Sequence, residues 1–122
     1  MTHPRGRAPF IDVDCTWLPS EAAGRLLFGS EKAGRLERGF VERANGGTLF
    51  LEDIPELPGP EQSRLAKLLD SMQFRRQSGS RDVEVSLRVV AALSGTEETA
   101  LSRGRLRRDL YSRLSVFRIV LS

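Results

Sequence analysis

Phe10-Ile11-Asp12-Val13-Asp14 alternates apolar and polar residues, the period of a strand that buries one side. Pro19-Ser20 predicts the start of a helix, with Ser20 as its cap and Leu26, Leu27 and Phe28 on its inner face. Gly29 to Asn45 is charged, carries glycines at 34 and 39, and reads as a loop or a short mobile hairpin closed by Gly46-Gly47. Thr48-Leu49-Phe50-Leu51 is an unbroken apolar run ending in Glu52-Asp53. A run of that kind suits a strand covered on both faces, as in a parallel sheet.

Leu57-Pro58-Gly59-Pro60 reads as a turn, with Pro60 placed as the first residue of a helix. Leu65, Leu68, Leu69 and Met72 follow at spacings of three and four, one apolar stripe of that helix. Gln77 to Arg81 is a turn around Ser-Gly-Ser, and Val83 to Leu93 reads as a second buried strand. Thr96 is a candidate cap for a short helix beginning at Glu97-Glu98, where negative charge suits the helix dipole. Arg105 to Leu114 predicts another helix, with Leu106, Leu110 and Leu114 in line, and Val116 to Val120 a last strand. Strands separated by helices imply a three-layer α/β sheet.

Composition narrows the chemistry. The chain has 122 residues, one domain or part of one, and is 39% hydrophobic, enough for a modest core. No apolar run reaches the roughly 18 residues that span a bilayer. Met1 to Pro9 is basic and polar, so no secretory signal and no membrane partner are expected. Cys15 is the single cysteine, which excludes an internal disulfide and a thiolate zinc site and fits a cytoplasmic protein. His3 is the single histidine, so a multi-histidine metal site is hard to build. Net charge is +3, carried by arginine; the only lysines are Lys32 and Lys67. Arg103, Arg105, Arg107, Arg108 and Arg113 form a cluster that suits either a solvated face or a phosphate.

The strand-end carboxylates Glu52 and Asp53 are the strongest candidate for chemistry. At the carboxyl edge of an open α/β sheet, one carboxylate can hold magnesium through water and the next can orient a hydrolytic water. Their neighbours sharpen this. Gly46-Gly47-Thr48-Leu49-Phe50-Leu51-Glu52-Asp53-Ile54, Glu56-Leu57-Pro58, Gln62 and Leu65 resemble the Walker B strand and following helix of sigma-54-interacting AAA+ domains, usually worded GGTLFLDEI.ELP...Q..LL. Pro9 to Cys15 is similar to PFV.VNC, Leu27 to Lys32 to LFGHEKG, and Leu87 to Ala92 to the sensor I strand VRVIAATN. Gly104 to Phe117 is similar to GRFREDLYYRLNVF.

The resemblance implies a transcription-regulator domain with a partial AAA+ P-loop NTPase α/β fold over residues 9–122, after a tail at 1–8. It implies ATP and magnesium as cofactors. Glu52 (the metal position) and Asp53 fall at Walker B, Asp14 at a strand-end Asn, and Ser94 at sensor I. Arg107 and Arg113 fall at the arginine fingers that reach a neighbouring subunit's nucleotide. Six residues apart on one helix, those two would lie about 120° apart around its axis.

Departures shape the expected activity. The expectation is a fragment lacking the Walker A strand, loop and helix and the C-terminal lid. The family's Asp-Glu order is inverted to Glu52-Asp53, which displaces each carboxylate by about 1.5 Å, and misplacement on that scale can cost about 100-fold in rate. Leu93-Ser94 replaces Thr-Asn, and Ala33 to Arg38 replaces the GAFTGA loop that touches sigma-54. Three readings follow. The first is a domain fragment that is no ATPase alone. The second is an interaction module that self-associates or docks on intact AAA+ subunits, and the third a basic nucleic-acid-binding protein. Engagement of sigma-54 polymerase and direct DNA binding are not expected. In the family's sheet order, 5-1-4-3-2, the strand absent here separates 4 from 5. The last strand is therefore expected to pair elsewhere or directly with the Val83–Leu93 segment.

Overall fold

The computed structural model describes residues 8–94 and 97–119, and side chains over 8–93 and 99–114. The first seven residues of the expected tail, and Thr96 with its expected capping role, lie outside these. Four strands form a parallel sheet in the order β1 (Phe10–Asp14), β4 (Thr48–Glu52), β7 (Arg88–Ser94) and β8 (Ser115–Ile119). Between them run β2 (Ser30–Lys32), β3 (Arg35–Glu37), β5 (Gln73–Arg75) and β6 (Asp82–Glu84), which make two antiparallel hairpins. The helices are α1 (Ala23–Phe28), α2 (Phe40–Arg43), α3 (Gly59–Ser71), α4 (Glu97–Ser102) and α5 (Arg108–Tyr111).

Register explains which side chains are inside. Ile11 sits beside Leu49 and Val13 beside Leu51, while Leu49 and Leu51 sit beside Val89 and Ala91. Because strand side chains alternate, these share one face. That face is packed under Leu27, Phe28, Leu65, Leu68, Leu106 and Leu110, all fully or almost fully buried. The opposite face carries Phe10, Asp12, Phe50 and Glu52 in matching register, and it stays open at Phe10, which is 61% exposed. The unbroken apolar run of β4 thus has its alternation in burial: Leu49 and Leu51 inward, Phe50 against Phe10 at 5.9 Å between ring centres.

β8 pairs directly with β7, from Val90 opposite Ser115 to Ser94 opposite Ile119, the second of the two expected arrangements. The Gly46-Gly47 closure also has a steric reason. A Cβ on Gly47 would sit 1.9 Å from the Pro9 carbonyl oxygen, and that oxygen accepts from the Thr48 amide at 3.0 Å. Glycine there lets β4 come alongside β1.

Several boundaries differ from the sequence reading. Val83 to Leu93 is two elements: Val83 belongs to β6, paired with β5, and the sheet strand starts at Arg88. The pattern holds the cause, since Val83 to Arg88 alternates and only Val89 to Leu93 is unbroken. Ser20 caps nothing; α1 starts at Ala23, with Ala22 as a cap that makes no side-chain hydrogen bond. Gly29 to Asn45 is a hairpin followed by α2. Arg105 to Leu114 holds one turn of helix, α5, entered through an extended Arg107.

Candidate functional site

The carboxyl edge of the sheet gathers acids. Asp14 and Glu52 are register partners at the ends of β1 and β4. Asp53 follows, and its amide donates to the Ala92 carbonyl at 2.9 Å, fixing the edge to β7. Asp53 stands in the left-handed region, φ 54° and ψ 51°, where it begins a 3-10 turn over Ile54–Glu56. Asp tolerates that conformation better than most residues, so the short acid fits the second place of the pair.

Asp12 was not singled out by sequence, yet it is central here. It lies on the same open face as Asp14 and Glu52, two residues along β1. A hydrogen bond with Asp12 raises the pKa of Glu52 above its ordinary value, and desolvation and repulsion from Asp12, Asp14 and Asp53 add to the shift. The alternation of β1 was legible enough to have found it, since Asp12 and Asp14 must share a face. Asp14 is also occupied locally, accepting from the Thr16 amide at 3.0 Å. Behind the edge, burial pushes the Cys15 thiol up to about 12, with the nearby carboxylates adding to the effect. Ser94 ends β7 at this edge; its side chain lies outside the described residues.

Among the described residues no group of three His, Cys, Asp or Glu side chains is placed to hold a metal ion. The edge offers magnesium one or two carboxylates. That suits an ion shared with a phosphate and waters, and it does not make an all-protein cage.

The arginines occupy a different place. Arg105 and Leu106 form a bend after α4 that passes the N-terminal end of α3 and leads into an extended Arg107, with Leu106 buried and Arg105 and Arg107 exposed. Arg105 pairs with Glu56, just after the acid pair. Arg107 grips Asp109 with both Nε and Nη2, at 3.0 and 3.1 Å. Arg113 donates to Asp70 at 2.6 Å and to the Asp109 carbonyl. Arg107 precedes α5 and Arg113 follows it, so the expected 120° separation on one helix does not apply. Both guanidiniums instead meet the same residue, Asp109, whose carboxyl pKa is lowered by Arg107 first and by Arg113 to a smaller degree.

The segment expected to replace the sigma-54 loop is the β2–β3 hairpin. Its turn is Ala33-Gly34, both at positive φ (51° and 79°). Beside it Arg76 forks onto Glu42 at 2.7 and 2.8 Å and also pairs with Glu31. This holds the hairpin base against the β5–β6 hairpin.

A parallel sheet with an acidic strand end, helices on its packed face and outward arginines on either side of its last helix defines an α/β fold of the AAA+ class. The model of the sigma-54 interaction domain matches residues 1–120. The chain belongs to that family. It is 42% identical to the Nif-specific regulatory protein of Rhodobacter capsulatus over 97% of its length, and 39% identical to the DNA-binding transcriptional regulator NtrC of Salmonella typhimurium over 95%. Those matches span 21% and 26% of the relatives, so the chain corresponds to about a fifth to a quarter of each. Among solved structures, NtrX from Brucella abortus superposes with a TM-score of 0.86 at 30% identity, over 98% of this chain and 28% of that one. NtrX has also been solved in complex with ADP and with ATP. Hsp104 shares the fold, with a TM-score of 0.65 at 15% identity. No helix among the described residues is long and apolar enough to cross a membrane.

Proposed function

We propose that the 122-residue chain does not hydrolyse ATP by itself and acts by docking on intact AAA+ subunits, presenting Arg107 and Arg113 to a nucleotide held there. The observation that carries this is the contrast between its two charged sites. The sheet edge packs carboxylates closely enough to raise the pKa of Glu52. Such an edge repels a polyphosphate. The 122 residues also contain no glycine-rich loop ending in Gly-Lys-Ser or Gly-Lys-Thr. In the family's scheme Glu52 would hold magnesium through water, Asp53 would orient the hydrolytic water, and Asp14 and Ser94 would flank the phosphate. The inverted acid pair works against that use.

The arginines, by contrast, are outward: Arg107 is held by an exposed pair with Asp109, and Arg113 by Asp70 and the Asp109 carbonyl. A phosphate can displace such partners, because the guanidinium fork matches its oxygens and the bonds are charge-assisted. An arginine so placed can stabilise a transferring phosphoryl group by about 10³-fold in rate or more. The Ala33-Gly34 hairpin tip carries no Phe-Thr pair, so contact with sigma-54 through it is no part of this reading, and neither is direct DNA binding.

The test mixes the chain with an intact ATPase of the family and follows phosphate release by that partner. Addition of the chain is expected to change the partner's turnover, with the change lost in Arg107→Ala and Arg113→Ala. Unchanged turnover at concentrations where the two demonstrably bind would remove the trans role. Hydrolysis by the chain alone that disappears in Glu52→Ala would overturn the first half of the proposal.

A further inference from the structure

Gln62, in the first turns of α3, is 1% exposed and is the one buried polar side chain among the described residues. All of its contacts are with backbone. Its Nε2 donates to the Leu57 carbonyl at 3.0 Å and to the Arg105 carbonyl at 2.8 Å. Its Oε1 accepts from the Arg107 amide at 2.8 Å. Leu57 closes the short turn leaving the β4 acid pair, and Arg105 and Arg107 flank the buried Leu106. One side chain therefore ties the outlet of the acidic strand to the arginine segment.

The chemistry of the contact is specific. The Gln62 amide carries donor and acceptor in one plane, and so bonds both the Arg105 carbonyl and the Arg107 amide across Leu106. That grip holds the bend in which Leu106 is buried and Arg105 and Arg107 are exposed. No side-chain hydrogen bond caps α5 at Arg107, so this amide fastens the start of that turn, as the Arg113–Asp70 pair fastens its end.

We propose that Gln62 is a positioning residue that sets where Arg107 is presented and ties that placement to the carboxyl end of β4. This rests on the trans role of Arg107 put forward above. Leucine at the position would fill the space and strand two carbonyls and an amide. Glutamate at neutral pH would keep the acceptor and lose both donors. When protonated, it would regain one of them.

The experiment compares Gln62→Leu, Gln62→Glu and a control, Leu68→Ala, which removes buried apolar volume from the same helix without touching the clamp. Exchange protection of the Arg107 amide is followed by NMR, alongside the chain's effect on a partner ATPase. Gln62→Leu is expected to lower that protection about tenfold or more, one orphaned hydrogen bond's worth, and to abolish the effect on the partner. Leu68→Ala should keep both under conditions where it is folded. Should Gln62→Leu fail to fold, Gln62→Glu decides: its carboxylate faces the Leu57 and Arg105 carbonyls without a donor, so its effect on the partner is expected to fall below wild type at neutral pH and to recover on acidification, and an effect equal to wild type at neutral pH overturns the clamp. Undiminished protection at Arg107 in Gln62→Leu overturns the clamp. A partner effect that survives Gln62→Leu but not Arg107→Ala overturns the positioning role. A wild-type chain that binds the partner without any effect defeats the trans reading instead, and the exchange data still judge the clamp.

Discussion

Arg76 fastens the β5–β6 hairpin to Glu42 of α2 and Glu31 of β2 with three charges, whereas Gln62 fastens the arginine segment to α3 with a neutral amide. Both are shielded from water. The Arg76 and Glu42 side chains are only 12% and 10% exposed, and Gln62 is 1% exposed. The difference lies in what each leaves behind when broken and in how each responds to protons. A half-buried ion pair is indispensable once made, because removing one member strands the others' charges away from water. An amide clamp on backbone carries no charge and holds at any pH the fold survives. In this chain the first kind supports the β2–β3 hairpin. The second supports the arginines proposed to act on a partner.

The largest expected effect tests the charged junction. Arg76→Ala should lower unfolding free energy by about 3 kcal/mol, read from the urea midpoint at neutral pH, because Glu42 is left nearly buried without its fork. A loss below about 1 kcal/mol would put the junction on a par with an exposed pair. The double substitution with Glu42→Gln should recover part of the loss by removing the stranded charge.

A smaller effect separates the two junctions by pH. The hydrogen bonds from Arg76 hold the Glu42 carboxyl below its ordinary value of 4.5, with Arg38 adding a lesser pull. A carboxylate whose pKa is depressed by folding contributes stability that is fully present above its unfolded value. That stability is lost as pH falls through the depressed folded value. Stability should therefore decline as pH drops below about 4.5, with Arg76→Ala flattening the Glu42 share of the decline and Gln62→Leu leaving it intact. Equal slopes in wild type and Arg76→Ala would break the contrast.

The smallest expected effect concerns the acidic edge, where the sign reverses. Glu52 is raised in the folded state by its hydrogen bond with Asp12 and by neighbouring carboxylates. A raised carboxyl group favours folding most below its unfolded pKa and loses that contribution as pH rises through the folded one. Asp12→Asn should thus raise the melting temperature slightly at pH 7, where the repulsion is fully present, and leave it unchanged or lower near pH 4. An identical shift at both pH values would mean that Asp12 is not what raises the Glu52 carboxyl.

Much of this was legible along the chain. The alternation at Phe10 to Asp14, the unbroken run at Thr48 to Leu51 and the apolar stripe on α3 placed their elements correctly, because each lies wholly on one periodicity. The acid pair and the six-residue spacing of Arg107 and Arg113 were likewise visible, being local in sequence. Val83 to Leu93 was misjudged where an alternating stretch runs into an unbroken one. The helix expected from Arg105 onward was shortened because its first residues find partners on α3, 43 and 45 positions away.

Sequence by itself determined the strands, the family, the inverted Glu52-Asp53 order and the residue types available for chemistry, since all of these reside in neighbouring positions. Tertiary structure decided what those residues touch. Asp12 joined Glu52 because parallel register brings β1 beside β4. Asp109 became the common partner of two arginines because α5 is a single turn. Gln62 became a clamp because burial left its amide only backbone to bond. The first and last depend on contacts between distant segments, whereas Asp109 lies two and four residues from its arginines and only the shape of the turn decided that it meets both; a buried polar group must find whatever partner the fold brings within reach.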